Sequence, residues 1–222
     1  MAELMKNLLL SLCIIFFVAS SASAQDIALP EPDFSKPIIQ AYKNRETARS
    51  FSQKDISMEV LSEVLYAAFG VNRPESGNRT AASGGNSKET DIYVLLKTGT
   101  YIYNANEHRL DLVTKDNLQS IMHTQSYAKD IPVHLAYVSN TERLTSRLTP
   151  EYTYVHAGLI AQNVEIYCSY IGLAAGIRTP RDGGKLNEAL NLTEKQVVTI
   201  WHAIGYHGES TMTETDGKSK PK

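Results

Sequence analysis

Pro150 to Arg178 reads PEYTYVHAGLIAQNVEIYCSYIGLAAGIR. Proline fixes φ near the helical value and suits the first turn of a helix, so Pro150 marks a start. Val155, Leu159, Ile160, Val164 and Tyr167 recur at helical spacing and form an apolar stripe. The pattern predicts a long helix over Tyr152 to Tyr170, closed by Gly172, then a short strand over Ala174 to Arg178. Upstream, Ile92–Leu96, Tyr101–Tyr103 and Arg109–Val113 are β-rich runs separated by turns at Gly99 and at Asn104–Glu107, the pattern of a meander. Val133 to Ser139 reads as a buried strand, Gly184 to Leu190 as a helix and Val197 to Tyr206 as a final strand. Nearer the N-terminus, Asp55 to Phe69 places Val60, Leu61, Val64, Leu65 and Ala68 on one face, with Ser57 as N-cap and Gly70 as the stop. Pro37 to Asn44 and Asp116 to Met122 read as short helices, and Val71 to Glu89 as a long polar loop. A loop of that length in a compact domain usually carries function. With no repeat and no linker, the expectation is a single α+β domain with a mainly antiparallel sheet.

Composition narrows the classes of function. Of 222 residues, 22 are Lys or Arg and 24 are Asp or Glu, a formal net charge of −2. That balance carries no electrostatic footprint for nucleic acid. Hydrophobic content of 42% excludes a disordered chain. Leu8 to Val18 is an apolar run of signal-peptide length, too short to span a bilayer, with Lys6 before it and the small-x-small triplet Ala22-Ser23-Ala24 after it. The expected organisation is a signal peptide over 1–24, an extended lead-in over 25–34, one domain over 35–210 and a polar tail over 211–222. The mature chain is then exported, most simply to a bacterial periplasm, with no membrane anchor after cleavage. Its one remaining cysteine, Cys168, cannot form an internal disulfide and lies in an apolar helical run, so a buried inert thiol is expected.

Two segments are suited to binding an anionic ligand. In an extended Arg45-Glu46-Thr47-Ala48-Arg49, residues 45, 47 and 49 point one way, and two guanidinium groups with a hydroxyl can clamp a phosphate. In Arg79-Thr80-Ala81-Ala82-Ser83-Gly84-Gly85-Asn86 the small residues let a ligand approach the backbone, and Ser83 and Asn86 add groups that pair with a heterocycle edge. The six histidines lack metal-ligand spacing, so no metal site is expected, and no Gly-x-Gly-x-x-Gly fingerprint of a dinucleotide fold is present.

Together these segments resemble the FMN-dependent nitroreductase family. Arg45-x-Thr47-x-Arg49-Ser50-Phe51 resembles that family's opening Arg-x-Ser-x-Arg/Lys-x-Phe signature. Ala67-Ala68-Phe69-Gly70-Val71-Asn72-Arg73-Pro74 with Arg79-Thr80-Ala81-Ala82-Ser83 resembles one branch's Ala-Ala-x-Gly-x-Asn-Arg-Pro and Arg-Thr-Ala-Pro-Ser. Gln125-Ser126-Tyr127, the helix around Gly158 to Val164, Gly172-Leu173-Ala174 and Ile204-Gly205-Tyr206 resemble later family elements, so the likeness runs from about Ile38 to His207. The sequence departs at Ala82, where the family has Pro, and at His207-Gly208, which replaces Pro-Lys and removes a phosphate-binding lysine.

The resemblance implies a three-layer α-β-α sandwich and a homodimer with FMN at its interface. It implies a cofactor site of Arg45, Thr47, Arg49, Arg79, Ser83, Asn86, Gln125, Gly176, Arg178 and His207, with His207 standing in part for the lysine. It also implies ping-pong reduction of a small acceptor such as a nitroaromatic or quinone, with no side chain required as acid or base. NAD(P)H is the family's donor, but an exported protein lies away from nicotinamide nucleotides, which leaves the donor open. A non-catalytic flavin-binding protein and a flavin-dependent dehydrogenase are the alternatives on the same scaffold.

Overall fold

The computed structural model describes residues 26–30, 39–122, 131–179 and 183–208. The expected signal segment, Pro37, Gln125-Ser126-Tyr127 and the tail beyond residue 208 lie outside them. The framework is a twisted sheet of seven strands among the described residues: β1 (Ile27–Ala28), β4 (Thr90–Leu96), β5 (Gly99–Asn104), β6 (Arg109–Thr114), β7 (Val133–Asn140), β8 (Ala174–Arg178) and β9 (Gln196–Gly205). Their order is β1-β6-β5-β4-β7-β9-β8, and every pairing is antiparallel. The meander β4-β5-β6 follows from turns too short for a crossover. Tyr93 faces both Ile102 and Ala136, and Leu135 faces His202, which fixes the register across the centre.

Helices cover both faces of the sheet. On one lie α2 (Met58–Phe69) and α3 (Tyr152–Ile171), whose Leu61, Val64, Leu65, Ile160 and Val164 pack on Val94, Leu135, Tyr137 and Ile204. On the other, α4 (Gly183–Ala189) and a 3-10 turn at Gln119–Met122 bring Leu186 and Met122 onto Leu95, Val138 and Trp201. This is the expected three-layer α+β architecture. The helix ends form as their sequences dictate. Ser57 Oγ accepts from Val60 N–H, and Gly172 adopts the left-handed conformation (φ 75°, ψ 24°) that lets Leu173 N–H reach the Cys168 carbonyl at 2.8 Å.

Three expectations are corrected. The Val71–Glu89 segment is not a plain loop: β2 (Val71–Arg73) and β3 (Asn78–Arg79) form a hairpin, and a 3-10 turn occupies Gly84–Asn86. The helix expected over Asp116–Met122 shrinks to its last four residues, because Asn117 turns its side chain onto Gln119 N–H and competes with helical bonding. The stripe assigned to α3 divides between two faces. Ile160 and Val164 are buried with Ala157, Ala161 and Cys168, whereas Val155 is 54% exposed and Leu159 44%. The small residues Ala157 and Ala161 are what let the helix lie close on the sheet, and the bulkier side chains are left outside.

Beside α3 packs α1 (Ile39–Asn44), from which the chain runs into the segment Arg45–Ser52 along one end of the sheet.

Candidate functional site

Residues 45–52 are stitched to the ends of β8 and β9. Ala48 N–H donates to the Ala175 carbonyl at 2.7 Å, Ser52 N–H to the Tyr206 carbonyl at 2.9 Å, and Phe51 bridges His207. Arg178 closes the other side, its Nη2 donating to the Ala48 carbonyl at 2.9 Å. Gly176 is required here, since a Cβ on it would stand 2.8 Å from that same carbonyl oxygen. Distant parts of the chain thus bring Arg45, Thr47, Arg49, Gly176, Arg178 and His207 to one end of the sheet.

The clamp does not lie all on one side, as a regular extended segment would have placed it. Ala48 takes the buried position, Thr47 and Arg49 remain exposed, and Arg45 turns inward, its Nη1 donating to Glu165 Oε2 at 3.3 Å. A buried carboxylate draws the guanidinium off the exposed side because an unpaired charge there is costly. Beside it opens a cleft of about 230 Å³ whose walls include Asn44, Glu46, Glu165, Ser169, Ala175 and His207.

Glu165 leads inward to a buried polar chain. Its Oε1 accepts from His202 Nε2 at 3.2 Å, which leaves Nδ1 to accept from the Tyr137 hydroxyl at 2.7 Å. His202 and Tyr137 are fully buried and Glu165 nearly so. Burial holds the His202 ring below its ordinary value and pushes the Tyr137 phenol well up. Burial also works to raise Glu165, but hydrogen bonding and charge from His202, reinforced by Arg45, outweigh it and hold the carboxyl low. Cys168, beside this chain, is buried, with its thiol pushed up by desolvation and then by Glu165, as an inert core thiol requires.

The sequence contained a faint trace of this chain. Glu165 is the one carboxylate on the buried face of α3, four residues beyond Ala161, and His202 shares a strand face with Ile200 and Ile204 along β9. Neither signal names a partner.

The glycine-rich loop is held differently. Gly84 N–H donates to His156 Nε2 at 2.8 Å, and His156 Nδ1 meets Glu89 Oε1 at 2.7 Å. Ser87 Oγ donates to Glu89 Oε2 at 2.6 Å, while Ser83 Oγ accepts from Lys88 N–H at 3.1 Å. Asn86 sits at φ 56°, a left-handed conformation asparagine tolerates. Arg79 has a different setting. Its guanidinium stacks 4.7 Å from the Phe69 ring centre and Nη1 donates to the Phe69 carbonyl, so it braces β3 against the end of α2. Desolvation lowers its pKa from the ordinary arginine value. Gln125 lies outside the described residues.

A buried network, a cationic rim at one sheet end and a tethered glycine loop do not by themselves identify a protein, but they are borne on a fold with known relatives. The family model described as the nitroreductase family matches residues 42–206. A protein of Methanocaldococcus jannaschii assigned as a nitroreductase is 29% identical over 162 residues, 67% of this chain and 80% of that one. A crystal structure from Ralstonia eutropha, assigned likewise, superimposes with a TM-score of 0.78 at 32% identity, covering 84% of this chain and 91% of the other. One from Desulfovibrio desulfuricans, solved in complex with FMN, has a TM-score of 0.57 at 16% identity, covering 85% and 99%. The match takes in nearly every element described above, from the end of α1 to the end of β9, and on that ground the chain belongs to the nitroreductase family.

Proposed function

We propose that this chain is an exported, homodimeric, FMN-dependent oxidoreductase that reduces a small acceptor such as a nitroaromatic or quinone. The observation that carries the reading is the set of donors at one end of the sheet. Arg45, Arg49, Arg178 and His207 come from three segments cross-linked through Ala48, Ala175 and Phe51. Of this set, Arg45, Arg49 and His207 suit a terminal phosphate. Among the described residues Arg49 carries no ion pair, the Thr47 side chain is exposed, and Arg45 commits one guanidinium nitrogen to Glu165, so further donors stay available.

Bound FMN would supply the redox chemistry, accepting electrons from a donor and delivering them to the acceptor in turn. Arg45, Thr47, Arg49 and His207 would hold its phosphate and sugar chain. Backbone N–H groups around Gly176, with Arg178, would face the reacting ring edge, and Ser83 and Asn86 its pyrimidine edge, for which Gln125 is the other candidate by sequence. Glu165 and His202 fix Arg45 from within.

A second copy is the proposed partner. The outer face of α3 presents Tyr152, Val155 and Leu159, and on the neighbouring α1 Ile39 and Tyr42 are 78% and 60% exposed. Exposed apolar side chains on packed helices of this kind are often covered in the working protein. Light scattering is expected to give twice the chain mass, with Leu159→Asp reducing it to one. Secretion is expected to leave Gln25 as the first residue, read by mass spectrometry. The donor is a reductant of the exported compartment or NAD(P)H.

The deciding experiment is release of cofactor from the purified mature chain by heating, followed by chromatography. FMN is expected; FAD, or no flavin after reconstitution, overturns the reading. Bound FMN that no acceptor of a broad panel reoxidises after chemical reduction would identify a non-catalytic flavin binder, the reading that His207 in place of lysine would favour.

A further inference from the structure

Outside the cationic rim the protein buries a second carboxylate–imidazole pair. Glu89 is fully buried and His156 is 3% exposed, yet both are ionisable and neither reaches the cleft. Such a pair is costly to bury, and replacing it with apolar residues is often neutral for stability. Its hydrogen bonds indicate what it does instead. A backbone N–H can only donate, so the 2.8 Å contact from Gly84 makes His156 Nε2 an acceptor. The ring proton then sits on Nδ1 and is donated to Glu89 Oε1. Glu89 fixes the tautomer, and the tautomer fixes the loop. Glu89 is itself immobilised, with Ser87 Oγ on its other carboxylate oxygen and Arg143 Nη2 and Asn140 N–H on its backbone carbonyl. Gly84 packs against Leu148 and His156, and Gly85, at φ 58°, against Thr145, so the turn sits in a fitted seat.

We propose that His156 and Glu89 are positioning residues that hold the Ser83–Asn86 turn, and with it Asn86, at the pyrimidine edge of the flavin; this rests on the FMN reading above. Neither residue touches the cofactor. They act through one backbone hydrogen bond, whose loss would leave a half-buried N–H unsatisfied and let the turn depart from its seat.

Two substitutions of one residue separate the halves of the device. In His156→Gln the amide oxygen falls near the Nε2 position and still accepts from Gly84. In His156→Asn the amide nitrogen falls near Nδ1, so the bond to Glu89 survives and that to Gly84 is lost. Hydrogen exchange of the 83–87 amides in the flavin-free protein is expected to quicken about tenfold or more in His156→Asn and to stay near wild type in His156→Gln. In flavin titrations His156→Asn is expected to weaken FMN binding about tenfold and to shift the flavin midpoint potential, with His156→Gln again near wild type. A merely structural histidine would change the melting temperature without separating the two variants in potential. Wild type that binds FMN with both variants matching it overturns the proposal and leaves the FMN reading standing. Wild type that binds no flavin overturns both, and the exchange data still report whether the tether exists. Should His156→Asn fail to fold, Gly85→Ala strains the turn directly, since its Cβ would meet Thr145 at 2.7 Å, while the His156–Glu89 pair stays intact. Unchanged FMN binding and potential in Gly85→Ala would also overturn the proposal.

Discussion

The protein uses the same buried pair twice, with different results. At one end of the sheet Glu165 binds His202, and under the glycine loop Glu89 binds His156. In the first pair the second imidazole nitrogen turns into the core and takes a phenol, while the second carboxylate oxygen faces the cleft and takes the Arg45 guanidinium. In the second pair the free nitrogen faces outward and takes a backbone N–H, while the carboxylate takes a serine. One pair therefore sets the position of a charge and the other the path of a chain. Side-chain chemistry is the same in both; the direction each imidazole faces decides which.

The largest break in that comparison is expected at Glu165. Glu165→Ala leaves His202 and Arg45 facing a buried gap, and breaking a buried pair of this kind costs on the order of 3 kcal/mol, read by denaturant unfolding. Glu165→Gln keeps an acceptor for His202 and should lose roughly half as much. Acid probes the same contact. His202 and Glu165 both hold protons less tightly folded than unfolded. Their contribution to stability is then complete at neutral pH and is lost as the pH falls through the ordinary histidine value of about 6.5 and on into the carboxylate range. Unfolding free energy measured from pH 8 to pH 4 should fall in wild type and fall more steeply in Glu165→Gln, because the carboxylate that partly offsets the desolvation of His202 is then gone. An equal slope in both would place the acid-sensitive groups elsewhere.

These pairs mark the limit of what the sequence discloses. The strands from β4 to β9 and helix α3 are legible because each is a local pattern: an unbroken apolar run in β4, a proline start and a glycine stop around α3. The two-faced nature of α3 is not, because Val155 and Leu159 fall at the same helical spacing whether they meet the sheet or another surface. The segment Val71–Glu89 reads as loop because β2 and β3 are only three and two residues long and polar. His202 lies 37 residues from Glu165 and His156 lies 67 from Glu89, and no periodicity spans such intervals. Arg45, Arg49 and Arg178 were findable as residue types. What the sequence could not disclose was that Arg45 answers to a carboxylate inside the helix layer.

A sharper test of the cleft compares two arginines. Arg178 already donates to the Ala48 and Ile177 carbonyls, so its guanidinium is largely occupied in holding backbone. Arg45 spends one contact of 3.3 Å on Glu165. Arg45→Ala should weaken FMN binding about tenfold or more, as expected for a charge-assisted bond to phosphate, and Arg178→Ala should weaken it less. Equal losses in a flavin titration would overturn this assignment of roles to the two arginines.

The smallest expected effect falls at the inner end of the first pair. Tyr137→Phe keeps the ring that packs edge-on 5.6 Å from His202 and removes only the hydroxyl that donates to Nδ1. Nδ1 would then be a buried acceptor without a donor, a loss of about 1 kcal/mol. The change should leave FMN binding untouched, because Glu165 still receives the proton on Nε2 and still holds Arg45. That outcome would show the chain to be anchored from the carboxylate outward. A drop in flavin affinity comparable to that of Arg45→Ala would show instead that the tautomer of His202, set by Tyr137 in the core, governs the charge at the cleft. The two buried pairs would then work by one principle, each fixing a proton on an imidazole in order to place something beyond it.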